Sequence, residues 1–388
     1  MHPTLFFQSE IKNPYLLYET MLKENPVYWD EISQLWAVYS FSACESVLKN
    51  TGAYVPVINP DNKDGLNEYA LLITKHVARL NNAVEHTIAR EIAMLLFQKI
   101  KEISIGDIID RLLQNHNCPG EMDFVSIICK KLPVRVILKS FDFNEEDVDF
   151  ISGNMESFVK IMAATKTAEQ VKRINEIAGK MYSITERHLL ATGIHYKIIN
   201  PVQKKYKIAQ DMLITSCVSN LIGLFIQGYD ACRGVLSNGL LQVMDKNNLT
   251  KAGSADKSFI EKSIVETLRF DPPVQNTKRI AAENIFVSDI EIKKGESVLV
   301  VLAAANRDPK KFNHPGKYDI HRFNNNEHLT FGTGHHQCVA RHFSVMMAVE
   351  TLTYLFARYK NIRLLEKTIE YEPVINVRLP KKIMIELQ

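Results

Sequence analysis

The stretch Phe331-Gly-Thr-Gly-His-His-Gln-Cys-Val-Ala340 is the most informative part of the chain. Its glycines, Gly332 and Gly334, allow tight turns and a close approach of the backbone to another group. The amphipathic pattern after Cys338 predicts a helix, and the positive end of a helix dipole favours a thiolate. The alternative is a buried apolar cysteine, which is the usual state of a cysteine outside a disulfide. A thiolate on such a loop suits an iron that needs an electron-rich ligand.

The rest of the chain is predicted to be mainly helical. Apolar residues recur at three- and four-residue spacing from Glu85 to about Met244. Within this region, Ala209 to Val243 contains one long apolar segment, which predicts a central buried helix. A further helix follows Asp256 and ends before the two prolines at 272–273, and another covers about 339–359.

Short strands are predicted near the two ends of the chain. Residues 26–30 and 35–39 are aromatic and β-branched, and helices flank them. Residues 52–66 are rich in Pro, Asn, Asp and Gly and predict a loop. Residues 279–303 alternate in short strands, and the final segments are rich in β-formers. No composition shift marks a boundary, so we predict a single domain over 1–388.

Composition and cysteine usage favour a soluble cytoplasmic protein. The 388 residues are 46% hydrophobic and 23% charged, and a net charge of +3 gives no reason to expect nucleic-acid binding. The six cysteines are scattered without a C-x-x-C pair, which argues against a thiolate zinc site and indicates reduced thiols. No signal peptide is apparent, and Met212 to Gln227 is too short and too polar for a membrane anchor.

The pattern Phe-x-x-Gly-x-His-x-Cys at 331–338 resembles the heme-binding loop of the cytochrome P450 family. The resemblance runs from about Asn13 to Glu386. It implies a cytochrome P450 fold, mainly α with small β-sheets, in which heme b lies between the long central helix and the proximal cysteine loop. It also implies that Cys338 is the axial ligand to the iron, with Phe331 and Gly332 beside the cofactor. Ala340 departs from the pattern, because the family usually has glycine there.

Two further groups of residues match family positions. Glu266 and Arg269 are three residues apart, a spacing that by itself indicates only a surface ion pair of little value. In the family they form a structural triad with a later arginine, here Arg322, which implies a role in folding rather than in chemistry. Four residues match partners of the heme propionates, whose carboxylates need cationic or donor side chains. These are Arg279, His336 and the pair His86 and Arg90. Taken alone, His86 would be a solvated helix-face residue.

The oxygen-activating segment departs from the family pattern. Gln227-Gly228-Tyr229-Asp230-Ala231-Cys232 matches the bend of the central helix, where an acid and a threonine deliver protons to dioxygen. Asp230 matches the acid and Gly228 is retained, but Ala231 replaces the threonine and has no proton to donate. Cys232 is turned about 100° further around the helix. Asp230 can also be read as a helix cap or as the ion-pair partner of Arg233.

Three explanations for Ala231 remain open. A substrate hydroxyl or a water can replace the alcohol, because proton delivery needs only a donor at hydrogen-bond distance. The enzyme can instead run on peroxide or catalyse a reaction other than hydroxylation. Catalysis can also be slow and release peroxide. A non-catalytic helper protein is a rival of another class, but relatives of that kind typically lack the cysteine.

The resemblance also indicates a substrate class and partners. It places the residues after the two prolines, together with Gln227, around the substrate. These residues are Val274, Gln275, Asn276 and Thr277. Such a polar rim favours a functionalised small molecule from a biosynthetic pathway, such as a polyketide, a terpenoid alcohol or an acyl group on a carrier protein. Because the chain carries no reductase domain, electrons are expected from a ferredoxin or flavodoxin that docks near Arg341 and His342.

Overall fold

The computed structural model describes residues 3–57, 61, 65–114, 120–163, 165–245, 256–366 and 368–388. It divides into two compact units. The first is Met1–Tyr54, Ile105–Lys130 and Asp230–Gln388, and the second is Val55–Ser104 and Lys131–Tyr229. Each unit combines several chain segments, so no single point in the sequence separates them. A single domain over 1–388 stays a prediction.

The helices follow the predicted pattern closely. They are α1 (Pro14–Glu24), α2 (Phe41–Lys49), α3 (Glu68–His76), α4 (Ala83–Phe97), α5 (Ile105–Gln114), α6 (Leu132–Ser140), α7 (Glu145–Phe158), α8 (Ala168–Thr192), α9 (Ile194–Tyr206), α10 (Gln210–Val243), α11 (Lys257–Phe270), α12 (Leu302–Ala305) and α13 (Arg341–Arg358). The predicted central helix is α10. The last long helix begins two residues later than predicted, because Val339 and Ala340 form a turn before it.

All strands of the described residues lie in the first unit. They are β1 (Val27–Asp30), β2 (Leu35–Val38), β3 (Ala53–Tyr54), β4 (Glu121–Asp123), β5 (Thr277–Ala281), β6 (Ile285–Val287), β7 (Ile290–Ile292), β8 (Ser297–Val300), β9 (Ile362–Leu364) and β10 (Met384–Leu387). The main sheet has the order β1-β2-β8-β5-β3, and a second sheet has the order β4-β10-β9. β2 and β8 run parallel, whereas the other pairs are antiparallel. The predicted loop over 52–66 is wrong at Ala53 and Tyr54, which pair with β5.

Alternation along β2 explains why this sheet has a helix on each side. Leu35 and Ala37 pack in one hydrophobic cluster with Met21 of α1. Val38 points the other way and packs in a second cluster with Val47 of α2. Successive side chains of a strand point to opposite faces, so one short strand contributes to both clusters. The main sheet therefore has a packed core on each of its faces.

The second unit is helical. It contains α3, α4, α6 to α9 and the part of α10 up to Tyr229. The N-terminus of α8 has a capping box, in which Thr167 accepts from the backbone of Gln170 while the Gln170 side chain accepts from Thr167. Gly193 ends α8 with φ of 66°. Within this unit α7 and α3 pack against α8, and α4 packs against α9.

Helix α10 is long and apolar enough to cross a bilayer, and it is the one helix of the described residues with that property. In its most apolar 18-residue window, 72% is buried inside the protein, as expected for a core helix. From 216 to 240 every residue is buried except Gln227, Gly228, Asp230 and Ala231. Away from the two ends of this helix, its accessible residues are therefore gathered at its midpoint, where the sequence predicted the oxygen chemistry.

Candidate functional site

The Cys338 loop is held by short backbone hydrogen bonds. The Cys338 N–H donates to Phe331 O at 2.9 Å, and the Gly332 N–H donates to Leu329 O at 2.8 Å. Gly332 and Gly334 have φ of 65° and 71°, a region that glycine adopts without strain. A Cβ on Gly334 would lie 2.6 Å from Leu48 O, whereas one on Gly332 would meet only His336 O at 3.9 Å. The loop is therefore tight against α2 at Gly334 and open beside Gly332.

Exposure separates Cys338 from the other described cysteines. Cys44, Cys129, Cys217 and Cys232 are buried, whereas Cys338 is exposed. Burial raises the pKa of the Cys217 thiol to about 12 and that of Cys232 to about 11. These four thiols fit the usual apolar role of cysteine. Cys338 is the thiol placed to meet a group outside the protein core. Cys118 lies outside the described residues.

Helices α10 and α13 meet just after this loop. The Cys232 Sγ donates to the Ser344 Oγ at 3.5 Å, and both side chains are buried. Cys232 thus faces α13, whereas its position in the sequence predicted only that it points about 100° away from Ala231. The contact joins the part of the central helix next to Asp230 to the first turn of the helix that follows Cys338.

Asp230 is engaged in an ion-pair network. Arg233 Nε lies 2.9 Å from Asp230 Oδ1, and Arg233 Nη1 and Nη2 lie 2.9 and 2.8 Å from the two carboxylate oxygens of Glu372. The Arg233 partner was one of the alternatives that the sequence left open for Asp230. Glu372 was missed, because it lies 139 residues further along the chain. Ala231, the next residue of the helix, is partly exposed.

Gly228 and Gln227 lie in the second unit. A Cβ on Gly228 would be 2.9 Å from Ile137 Cδ1, so glycine lets α6 pack closely against the helix. The Gln227 Nε2 donates to the carbonyl of Gly223 in its own helix at 2.9 Å. Gln227 is only partly buried, and its predicted contact with a substrate stays a prediction.

Glu266, Arg269 and Arg322 come together in the first unit. Arg269 Nη2 and Arg322 Nε lie 2.6 and 3.5 Å from Glu266 Oε1. Glu266 and Arg269 are both completely buried. Arg269 also donates to the carbonyls of Asn306 and Pro315, at 3.0 Å each. Spacing alone suggested an exposed ion pair, but this pair is buried and has several partners. All of these partners belong to the protein, as expected for a structural role.

The predicted propionate partners occupy both units. Arg279 lies in β5, is buried, and donates from Nη1 to Thr277 Oγ1 at 3.0 Å. His336 ends the 3-10 turn Gly334–His336 beside Cys338. In the second unit, His86 and Arg90 are one turn apart on α4. His86 is buried, so the interpretation as a solvated helix-face residue is wrong.

The segment 274–277 differs in part from its prediction. Gln275 is completely buried, donates to Pro272 O at 2.6 Å and accepts from Tyr18 of α1. Asn276 is also buried and donates to Ile375 O at 3.1 Å. Their side chains make hydrogen bonds within the protein, so two residues of the predicted pocket are less accessible than expected, and their role toward a substrate stays a prediction. Val274 and Thr277 remain partly exposed.

Sequence reasoning also missed His328, which lies behind the loop. It is buried, its ring centroid lies 5.7 Å from that of Phe331, and its Nδ1 accepts from the Thr330 N–H at 3.2 Å. Desolvation by burial, with smaller contributions from Arg341 and Arg269, lowers its pKa to about 3. Nothing in the residue spacing around His328 indicates that this side chain is buried.

The chemistry of the donor set fits a porphyrin better than a protein-chelated ion. Among the described residues, no three His, Cys, Asp or Glu side chains gather as a metal site. A porphyrin iron takes a single protein ligand on one side, and one exposed cysteine on an open loop provides it. The buried guanidinium of Arg279 and the imidazole of His336, in the same unit as Cys338, have the chemistry needed for carboxylates.

Comparisons with known proteins show what the chain is similar to. The model of the family Cytochrome P450 matches residues 236–386. The chain is 23% identical to the biotin biosynthesis cytochrome P450 of Bacillus subtilis, with 97% of each chain covered. It has the fold of P450BioI solved with a fatty-acid-ligated acyl carrier protein, at a TM-score of 0.79, 22% identity and coverage of 97% of this chain and 99% of that one.

A second solved structure gives the same result. CYP109E1 from Bacillus megaterium, in complex with testosterone, matches with a TM-score of 0.79 and 22% identity, over 97% of this chain and 99% of that one. The family match covers the loop of Cys338, the Glu266 helix and the end of α10. The chain is therefore similar to the cytochrome P450 family over residues 236–386, and it has the fold of solved cytochromes P450 over nearly its whole length.

Proposed function

We propose that this enzyme hydroxylates a functionalised small molecule in a biosynthetic pathway, using heme b bound through Cys338. The observation that carries the proposal is the exposed Cys338 thiol on a loop whose backbone is fixed at Phe331 and Gly334. Gly332 lies on the open side of that loop, and Phe331 would lie with it beside the cofactor. Arg279 and His336 would bind the propionates, and His86 and Arg90 remain predicted partners. Heme bound there would supply dioxygen binding and O–O cleavage, which a thiolate ligand promotes.

In this proposal Asp230 holds and passes the protons that the reaction consumes. Its carboxylate lies on the partly exposed stretch of α10, next to Ala231. Alanine offers no hydroxyl, so a water held by Asp230 or a hydroxyl of the substrate takes its place. This supports hydroxylation ahead of the peroxide-driven alternative, because the acid and Gly228 are both retained.

We further propose an acyl chain on a carrier protein as the substrate class. The support comes from similarity to the biotin biosynthesis cytochrome P450 and to P450BioI, which was solved with a fatty-acid-ligated acyl carrier protein. Gln227, Val274 and Thr277 are the partly exposed members of the predicted rim. Electrons would come from a cytoplasmic ferredoxin or flavodoxin, docking near Arg341 and His342.

The test is the carbon monoxide spectrum of the reduced, heme-supplied protein. The parent is expected to show the red-shifted band of thiolate ligation, and Cys338→Ala is expected to lose it. Cys217→Ala is the matched control, since that thiol is buried in the second unit. A parent that binds no heme would contradict the proposal and favour the helper-protein alternative. The peroxygenase alternative would be favoured if the enzyme turned over substrate with hydrogen peroxide but failed to do so with every redox partner tested.

A further inference from the structure

Arg233 joins two carboxylates that come from distant parts of the chain. Its Nε contacts Asp230, one turn earlier in α10, and its two terminal nitrogens contact both oxygens of Glu372. The planar guanidinium suits this two-point contact, which a lysine cannot make. The Arg233 side chain is only 7% exposed. Arg233 is therefore shielded from water far more than the arginine of an ordinary helix-surface pair.

Glu372 belongs to a loop that is paired with the predicted substrate segment. The Glu372 N–H donates to Leu379 O at 2.8 Å and closes this loop, 372–379. The loop in turn pairs with 273–277, where the Arg378 N–H donates to Pro273 O at 2.7 Å and the Gln275 N–H donates to Asn376 O at 2.9 Å. Val274 and Val377 also form a β-bridge. Arg233 thus connects Asp230 to the structure that carries Val274 and Thr277.

Accessibility differs among the three charged side chains. Asp230 is 32% exposed, compared with 20% for Glu372 and 7% for Arg233. The most accessible group of the network is thus the proposed proton carrier. The hydrogen bond from Arg233 Nε restricts the Asp230 side chain to one orientation. The bidentate contact with Glu372 in turn restricts the guanidinium.

We propose that Arg233 is a positioning residue that holds Asp230 for proton delivery, with Glu372 as its anchor. This inference rests on the proposed function, in which Asp230 passes protons. Because position 231 has no hydroxyl, Asp230 must orient a water or a substrate hydroxyl by itself. Proton transfer requires donor and acceptor at hydrogen-bond distance, so a carboxylate that changes rotamer loses most of its effect. Arg233 restricts the Asp230 carboxylate and so compensates for the absence of a threonine hydroxyl at position 231.

The test uses the full-length, heme-loaded enzyme with dioxygen, NADPH and a surrogate ferredoxin with its reductase, because the reduction of dioxygen consumes protons whereas hydrogen peroxide brings its own. The kcat is the rate of dioxygen-dependent NADPH oxidation per heme. We expect Asp230→Asn to lower kcat about 100-fold and Arg233→Gln to lower it about tenfold, with the KM for the ferredoxin within about twofold of the parent. The double variant should match Asp230→Asn, because Arg233 acts only through Asp230. Arg233→Lys should recover part of the rate, since it restores the charge but not the two-point contact.

The matched control is Arg173→Gln. Arg173 forms an exposed i,i+3 pair with Glu176 on α8 and should leave kcat unchanged. If Arg233→Gln fails to fold, Glu372→Gln takes its place and should lower kcat about threefold by loosening the anchor. The thiolate band and thermal unfolding are recorded for every variant.

The outcomes separate this inference from the proposed function. A parent with the thiolate band, together with a folded Arg233→Gln of unchanged kcat, overturns the inference alone. Effects of Asp230→Asn and Arg233→Gln that multiply in the double variant overturn it as well. A parent with the band whose kcat is unchanged in Asp230→Asn also contradicts it, because Asp230 then delivers no proton. A parent without the thiolate band overturns the proposed function, and the inference with it.

Discussion

Glu266 and Arg269 form an ion pair in which both side chains are completely buried, with 2.6 Å between Glu266 Oε1 and Arg269 Nη2. Glu266 Oε1 also accepts from the Asp319 N–H at 3.0 Å. Arg269 donates to carbonyls of Asn306, Pro315 and Lys317. The pair therefore connects α11 to the segment 306–322, which leads toward the Cys338 loop.

Removing the charge at Glu266 should be strongly destabilising. Glu266→Gln leaves the guanidinium of Arg269 buried without its counter-ion, so we expect the free energy of unfolding to fall by about 3–5 kcal/mol. Denaturant unfolding followed by circular dichroism measures this change. Glu176→Gln removes the acid of an exposed i,i+3 pair and should cost less than about 1 kcal/mol. Equal losses in the two variants would contradict a structural role for the buried pair.

A side chain at Gly334 should distort the cysteine loop. Gly334→Ala places a Cβ 2.6 Å from the backbone oxygen of Leu48 and forces φ of 71° on alanine. We expect the free energy of unfolding to fall by about 1–3 kcal/mol and the heme content to fall with it. Thermal unfolding and the heme-to-protein absorbance ratio are the measurements. Gly316→Ala, where no atom lies within 4 Å of the added Cβ, should behave like the parent.

Thiol alkylation should distinguish Cys338 from the buried cysteines. In the heme-free protein, iodoacetamide at about pH 8 should modify Cys338 first, because the thiolate is the reactive form and must be accessible. Burial raises the pKa of Cys217 to about 12 and of Cys232 to about 11, so both should react slowly. Peptide mass spectrometry identifies the modified positions. Heme loading should protect Cys338, and unchanged labelling after loading would argue against axial ligation.

Stability should fall in acid partly because of His328. Burial lowers its pKa to about 3, whereas the unfolded chain has a value of about 6.5, so the unfolded state binds the proton first. The contribution of His328 is complete above pH of about 6.5 and is lost as the pH falls from there toward 3, by up to about 1.4 kcal/mol per pH unit. His328→Asn retains an acceptor for the Thr330 N–H and should show a shallower loss of unfolding free energy. Parallel pH profiles would contradict this assignment.

Restoring a hydroxyl at position 231 should improve coupling if a water now stands in for it. Ala231→Thr, supplied with a surrogate ferredoxin and its reductase, should release about threefold less peroxide per electron than the parent. Ala231→Val is the control, because it has the shape of threonine without the donor. The measurement is peroxide produced against NADPH consumed. If Thr and Val behave alike, the hydroxyl is not what this site lacks.

Features that depend on local chemistry were predicted well. The tight turns at Gly332 and Gly334, the long apolar α10 and the strands around 27–38 follow from residue type and spacing over a few residues. The same is true of Ala231, since the absence of a hydroxyl needs no structure to establish it. Local sequence restricts backbone conformation directly, so these features could be inferred before any packing was known.

The burial of particular side chains needed the folded chain. Gln275 looked like a pocket residue, but the tertiary structure turns it toward Tyr18 of α1, 257 residues away in sequence. Glu372 binds Arg233, which is 139 residues away in sequence. Leu48 lies against Gly334, and neither local sequence predicts this contact. Sequence by itself determined which residue types could bind an iron or carry a proton. Only long-range packing decided which of them are accessible and which partners orient them, because burial and pairing are set by segments that meet in space without a shared local pattern.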